Sequence, residues 1–423
     1  MQNHLSIRSS RNKESILSFW FAFSFILNGY ASGIPGLSLG SVVFIILVIY
    51  SILHAKDCRV FGVSLFVLTL FICFSIIDYV IIPNDLDVLS ILIGLSKYLI
   101  WAFMISYGSS IIFNKSELMK WMIRFSIVLF IYLIIQNISF YVFSKFLPNI
   151  IEIGPLHAYD AGYAASGLGE GFIIRPASFL SESSFLGAYF ICTLIMVLVE
   201  NQVQYSSKLF RLALLFTFAI FLSTSTSAMI MVPLIWFFLG SSCYKHNKLF
   251  SWVVLVGLIW LIITIVAVFS SLGNSDNALL YSFFYSFDKF ERLESSTRFG
   301  DSYAFLYYIP DFFKLLGVGI GNEVTFLKPL VYSEHYYMNS TTMLLIQVGW
   351  LGISLFVFFL LYLIKLSIKY KAIGVPVLVL IYFILGFGSG VWLGTYGILF
   401  LFIACGYIVD AKKEFIQNKL SKQ

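Results

Sequence analysis

"RPASFLSESSFLGAYFICTLIMVLVE", residues 175–200, decides how this chain is read. It opens on an arginine, a glutamate and several serines, and then stays almost wholly apolar until Glu200. A run of that length, without the alternation of a half-buried strand, reads as a helix crossing a bilayer. A hydrocarbon core of about 30 Å takes roughly 20 such residues. Within lipid, the backbone has to satisfy its own hydrogen bonds, and a helix does this inside one segment. The rest of the chain agrees. Of its 423 residues, 60% are apolar and only 11% charged, and the mean hydropathy is +0.92. Soluble proteins are about 45–50% apolar and about 25% charged. The expected fold class is an all-α polytopic membrane protein.

Working outward from 184–200, twelve stretches are expected to span: 15–33, 38–54, 61–82, 88–112, 119–144, 184–200, 209–223, 226–241, 249–270, 339–364, 373–390 and 393–409. The Lys/Arg bias orients them. With the N-terminus inside, Arg8, Arg11, Lys13, Lys56, Arg59, Lys115, Lys208, Arg211, Lys245, Lys365, Lys371 and Lys412 all fall on the cytoplasmic side. Both termini are then inside, and the two long segments 145–183 and 271–338 are outside. The net charge of +6 is mostly this topogenic signal and calls for no nucleic-acid partner. "ASG" at 31–33 resembles a peptidase site, but the first span reads as an uncleaved anchor. No internal repeat is visible. Neither long outer segment contains a cysteine, so no disulfide is expected there. No Cys/His cluster has metal-ligand spacing, and no cofactor is expected.

Loops longer than about 12–15 residues usually carry function or are disordered. The second long segment is too rich in Phe and Tyr for disorder and has to bury them at the membrane interface or on the bundle. Within it, Asp288–Arg292 and Glu294–Arg298 stand i,i+4, as helix-surface pairs do. For Arg292, the commoner reading is a solvated ion pair on an interfacial helix. "LGVGIGNE", residues 316–323, lacks the strand and βαβ context of a dinucleotide site and reads as a tight turn. His335 and Asn339 share a face if the helix of 339–364 starts early, although an interfacial His is more often a simple anchor. In the opening stretch, Pro176 pushes Arg175 toward an extended backbone. Ser181 is expected to be an N-cap, with Glu182 in the first helical turn near the positive end of the dipole. That accounts for Glu182 without function, but it does not account for Arg175.

Taken together and in this order, "R-x-x-x-F-x-x-E-S-S" at 175–184, "STSTSA" at 223–228 and "TRFGDSYAF…LGVGIG…H…N…G-W-L-G" at 297–352 resemble the O-antigen polymerase (Wzy) family, which is related to the O-antigen ligases. The family often has Glu-Pro-Ser where this chain has Glu182-Ser183-Ser184. The resemblance implies a GT-C-like bundle with two long, partly helical periplasmic loops. It implies a metal-independent glycosyltransferase in the bacterial inner membrane, joining undecaprenyl-diphosphate-linked oligosaccharide repeats at the periplasmic face. Its partners would be that lipid-linked oligosaccharide, membrane lipid and a chain-length regulator protein. Arg175 and Arg298 would hold the diphosphate, supported by Arg292, because a guanidinium binds phosphate bidentately. Glu182 or His335 would act as base, and Asn339 would orient His335 or bind sugar. Two alternatives stay open. A flippase for the same lipid would place its charges within spans, where Lys97 is the clearest ionisable residue and Asp78 lies near an outer end. An O-antigen ligase often carries an arginine near the Ser/Thr turn, and "STSTSA" has none.

Overall fold

A computed structural model describes residues 2–34, 37–55, 62–81, 87–152, 157, 175–240, 302–331, 338–392 and 394–421, with side chains from Lys13 onward. Its longer helices are α1 (Gln2–Leu27), α2 (Leu39–Leu53), α3 (Gly62–Ile81), α4 (Val88–Phe103), α5 (Lys115–Phe143), α6 (Ser183–Val203), α7 (Ser207–Leu222) and α8 (Thr226–Leu239). Two short helices follow, α9 (Asp311–Leu316) and α10 (Glu323–Leu327), and then α11 (Ser340–Tyr370), α12 (Val375–Gly388) and α13 (Thr395–Leu420). Helix α4 runs on to Ile111 through a π turn at Met104–Gly108. Among the described residues there is no strand, only an isolated bridge between Ala31 and Ser38.

Among the described residues, six helices are long and apolar enough to cross a membrane: α3, α4 with its extension, α5, α6, α11 and α13. Helices α2, α8 and α12 are apolar but shorter. Every expected span that falls in the described residues carries a helix; 249–270 lies outside them. Near 224 the chain does divide, because Thr224 adopts a left-handed φ of 51° between α7 and α8.

The membrane reading is written in which faces are covered. Helix α6 is buried on nearly every side from Leu186 to Val199, and α13 from Tyr396 to Ile408. A helix that is apolar all round belongs in the middle of a bundle. Helix α5 instead leaves Val128, Ile131, Ile135, Ile138 and Val142 bare, a ridge at spacings of three and four residues. Such an outward apolar face suits lipid rather than water. Rings lock the centre: Phe21 of α1 stacks on Phe402 of α13 at 3.8 Å, and Phe25 meets Phe44 of α2 edge-on at 5.2 Å.

The glycine string is a turn, as its composition suggests, but a turn docked into the bundle. Helix α11 breaks at Gly349, whose φ of 63° is not helical. The break frees the carbonyls of Ile346 and Gln347, and they accept hydrogen bonds from the amides of Val318 (2.7 Å) and Gly319 (3.1 Å). On its other side, the Ile320 amide donates to Ser75 Oγ of α3 at 3.0 Å, and the Tyr79 hydroxyl donates to the Ile320 carbonyl. Buried carbonyls in lipid need partners, so the kink and the string complete each other.

Candidate functional site

Four helices begin at one end of the bundle and meet there. The N-termini of α2, α6, α11 and α13 contribute Ser38 and Ser41, Ser181 and Phe185, Ser340 and Met343, and Gly394, Thr395 and Tyr396 to the wall of one cavity. Its volume is about 280 Å³. Asn28, just past α1, also faces it, and so does Lys97 from the middle of α4. The rim is hydroxyl and amide: Ser38 Oγ donates to Asn28 Oδ1, and Thr395 Oγ1 donates to the same oxygen at 3.4 Å. The apolar wall includes Phe44, Ile100 and Ile398. Phe185 and Tyr396 stack at 4.3 Å beside it. Each helix N-terminus presents roughly half a positive charge. Neither Glu182 of α6 nor Gly394 of α13 supplies a side-chain cap to its helix.

The doorway segment is held by α5. An amide in the middle of that helix, Gln136, donates to Asn149 Oδ1 at 3.0 Å and accepts from the Ser178 amide at 2.9 Å. Asn149 Oδ1 also takes the Ala177 amide at 3.1 Å, and the Ser178 hydroxyl donates to the Leu129 carbonyl at 2.8 Å. Phe179 stacks on Tyr132 at 4.2 Å. Two ends of one long segment, 147–149 and 176–180, are thereby stitched to a single helix, and Arg175 lies half-buried just ahead of the stitch. These anchors, Gln136 and Asn149, were not singled out from the sequence. The signal was there, since a glutamine within an apolar span has to find partners.

The other expected site residues fall as follows. Arg292, Arg298 and His335 lie outside the described residues. Glu182 is itself the N-cap of α6, not a first-turn residue, and Ser181 does not cap. The reason is backbone geometry. Glu182 is extended at φ −137° and ψ 151°, and its carbonyl accepts from the amides of Phe185 and Leu186, both at 3.1 Å. Its carboxylate accepts the Ser184 hydroxyl at 2.8 Å. Asn339 is wholly buried as the N-cap of α11: Oδ1 accepts the Thr342 amide at 2.9 Å, and its own amide donates to Ser302 Oγ at 2.9 Å. Helix α11 thus begins at Ser340 and does not start early, with Asn339 as its cap. "STSTSA" packs beneath the doorway, where Ser225 and Ala228 press on Gly187 of α6 so closely that a β-carbon there would clash. Three stretches far apart in sequence, 175–184, 223–228 and 339–342, meet at one end of the bundle.

The two ionisable residues expected inside spans part company. Asp78 is fully buried, and neither carboxylate oxygen has a hydrogen-bond partner among the described residues. Lys97 opens on the cavity. Next to it on α4, the Tyr98 hydroxyl donates to Gln347 Oε1, and Gln347 in turn hydrogen-bonds Glu323 of α10. Burial pushes the Glu323 carboxyl above the ordinary glutamate range, against the hydrogen bond from Gln347 and the pull of Lys97. A carboxyl raised in the folded state binds its proton more tightly there than in the unfolded chain. Its contribution to stability is therefore full in acid and is lost as pH rises from the glutamate range through the folded pKa. Glu323→Gln should flatten that fall and melt higher than wild type at pH 7.5 in detergent. Identical melting curves across pH for the two proteins would show that the buried carboxylate carries no such penalty.

Glu182→Gln separates chemistry from packing at the doorway. Its carboxylate makes no cap to the helix amides, so the amide should leave folding unchanged. If Glu182 is the base, turnover of lipid-linked repeats in vitro should fall by about 10²-fold or more. Unchanged turnover would remove it from the chemistry. No model of a known protein family matches this chain, and no curated protein does.

Proposed function

We propose that the chain is a surface-polysaccharide polymerase of the O-antigen type. It joins undecaprenyl-diphosphate-linked oligosaccharide repeats at the periplasmic face of a bacterial inner membrane. The observation that carries the reading is the convergence of four helix N-termini, a hydroxyl-lined cavity and the doorway segment of Arg175 and Glu182 at one end of an apolar bundle. The opposite end carries Lys115, Lys120, Arg211, Lys369, Lys371, Lys412 and Lys413, a bias that supports a cytoplasmic side there and a periplasmic cavity. On this reading a further span covers 249–270, giving about twelve in a GT-C-like arrangement, with both termini cytoplasmic.

The chemistry follows from the charges. An acceptor hydroxyl attacks the anomeric carbon of the donor as the bond to the lipid diphosphate breaks. The leaving diphosphate gathers negative charge, and Arg175 and the helix N-termini supply the opposing charge. Arg298 and Arg292 are assigned to the same task on the second loop. Glu182 takes the proton of the acceptor, with His335 as the other candidate, and no metal ion or cofactor enters the scheme. Asn339 serves by holding the start of α11. Lipopolysaccharide from a deletion strain tests the reading. A lipid core carrying a single repeat is expected. A core without repeats, alongside lipid-linked polymer, would mean a ligase, and single lipid-linked repeats retained inside would mean a flippase.

A further inference from the structure

We infer that Lys97 is the binding residue for a phosphate-bearing anion in the cavity, the diphosphate headgroup of the lipid-linked donor if the polymerase reading, on which that source rests, is right. Lys97 is the tenth residue of α4, about 14 Å along the helix at 1.5 Å per residue. An ammonium set so far into a span needs water, a cavity or an opposite charge. Lys97 lines the cavity, and among the described residues no carboxylate forms an ion pair with it. Glu323 acts on it only through space: Gln347 hydrogen-bonds the Glu323 carboxylate, and no ion pair joins it to Lys97. The ammonium donors thus remain for whatever fills the cavity.

Asn28, just past the C-terminus of α1, and Gly390, just past that of α12, also line the space, but four helix N-termini outnumber those two negative ends. The N-termini of α2, α6, α11 and α13 point their positive ends at it, and the wall hydroxyls of Ser41, Ser340 and Thr395 are bonded to Ser38, the Ser389 carbonyl and Asn28 Oδ1. Donors on several sides of one volume suit an anion with several oxygens, as phosphate and diphosphate are. The apolar wall of Phe44, Ile100 and Ile398 suits the first part of a lipid chain. Glu323, Gln347 and Tyr98 form the backing that keeps α4 in register with the docked glycine string.

The test is binding by the purified full-length protein in nanodiscs, with undecaprenyl diphosphate as probe. Lys97→Gln and Lys97→Met, the second keeping an aliphatic stem, should each bind about tenfold more weakly or worse. Lys97→Arg should stay within about threefold of wild type, and all three should melt as wild type does. Displacement of the probe by inorganic pyrophosphate at similar concentration would support the site and assign it to the anion alone. Displacement only by the diphosphate lipid would support the headgroup assignment. Unchanged binding by both neutral variants would overturn the inference, as would equal displacement by phosphatidylglycerol, which would make Lys97 an ordinary lipid contact. Because the readout is binding, a deletion strain that behaved as a ligase or flippase mutant would sink the polymerase reading and leave this result standing.

Discussion

Arg175→Ala will abolish polymer while membrane-inserted protein stays at its normal level. Ala177 and Ser178 bond the doorway to Asn149, Gln136 and Leu129, and these bonds do not involve the guanidinium. What goes is a cation beside the place where the leaving diphosphate would gather charge. Losing one such stabilising group lowers turnover by about 10²- to 10³-fold, enough to take polymer below detection on a lipopolysaccharide gel. Arg175→Lys should rescue poorly, because an ammonium cannot reproduce the two-pronged geometry of a guanidinium. Normal polymer in the alanine variant would leave the role without support. Parallel loss of polymer and of inserted protein would place Arg175 in the fold.

The second large effect is on folding. Gly317→Ala and Gly349→Ala should each prevent the protein from accumulating. Gly317 has φ 105° and ψ −168°, and Gly349 has φ 63° and ψ −170°. Such conformations are essentially confined to glycine and cost on the order of 1–3 kcal/mol for other residues. A β-carbon on Gly317 would also overlap the Gln347 carbonyl, and one on Gly349 the Leu315 carbonyl. Backbone lies on both sides of the contact, so neither partner can swing away. Separating them strands the Ile346 and Gln347 carbonyls without the Val318 and Gly319 amides. Gly62→Ala is the control, since nothing lies within 4 Å of the added carbon. Size-exclusion traces of tagged protein read the outcome. Monodisperse Gly317→Ala at wild-type yield would mean that the string is not a structural wedge.

Much of the arrangement could be read along the chain, and its limits fall at particular residues. The helix of 184–200 was legible because a long apolar run has one solution in lipid. Its start differs by one residue: Ser181 is the better capping side chain, but the extended torsion that begins the helix falls at Glu182. At 316–323 the triple glycine announced a special backbone, and φ is positive at Gly317, Gly319 and Gly321. Nothing local said that its partner is a break at Gly349. Asn339 was read as a site residue because amides bind sugars. In the fold that amide is committed to the first turn of α11, a role that depends on where the helix begins.

By itself, then, the amino-acid order determined the solvent, the all-helical class and the positions of the described spans. Those properties depend on composition and on run lengths within single segments, and they need no knowledge of what packs on what. Tertiary structure alone decided which polar ends share a cavity. It decided that Lys97 opens on that cavity while Asp78 is sealed in the bundle, that Gln136 stitches a loop to a helix, and that one kink accepts one turn. Each of these depends on contacts between residues far apart in the chain, where local preference is silent and packing chooses.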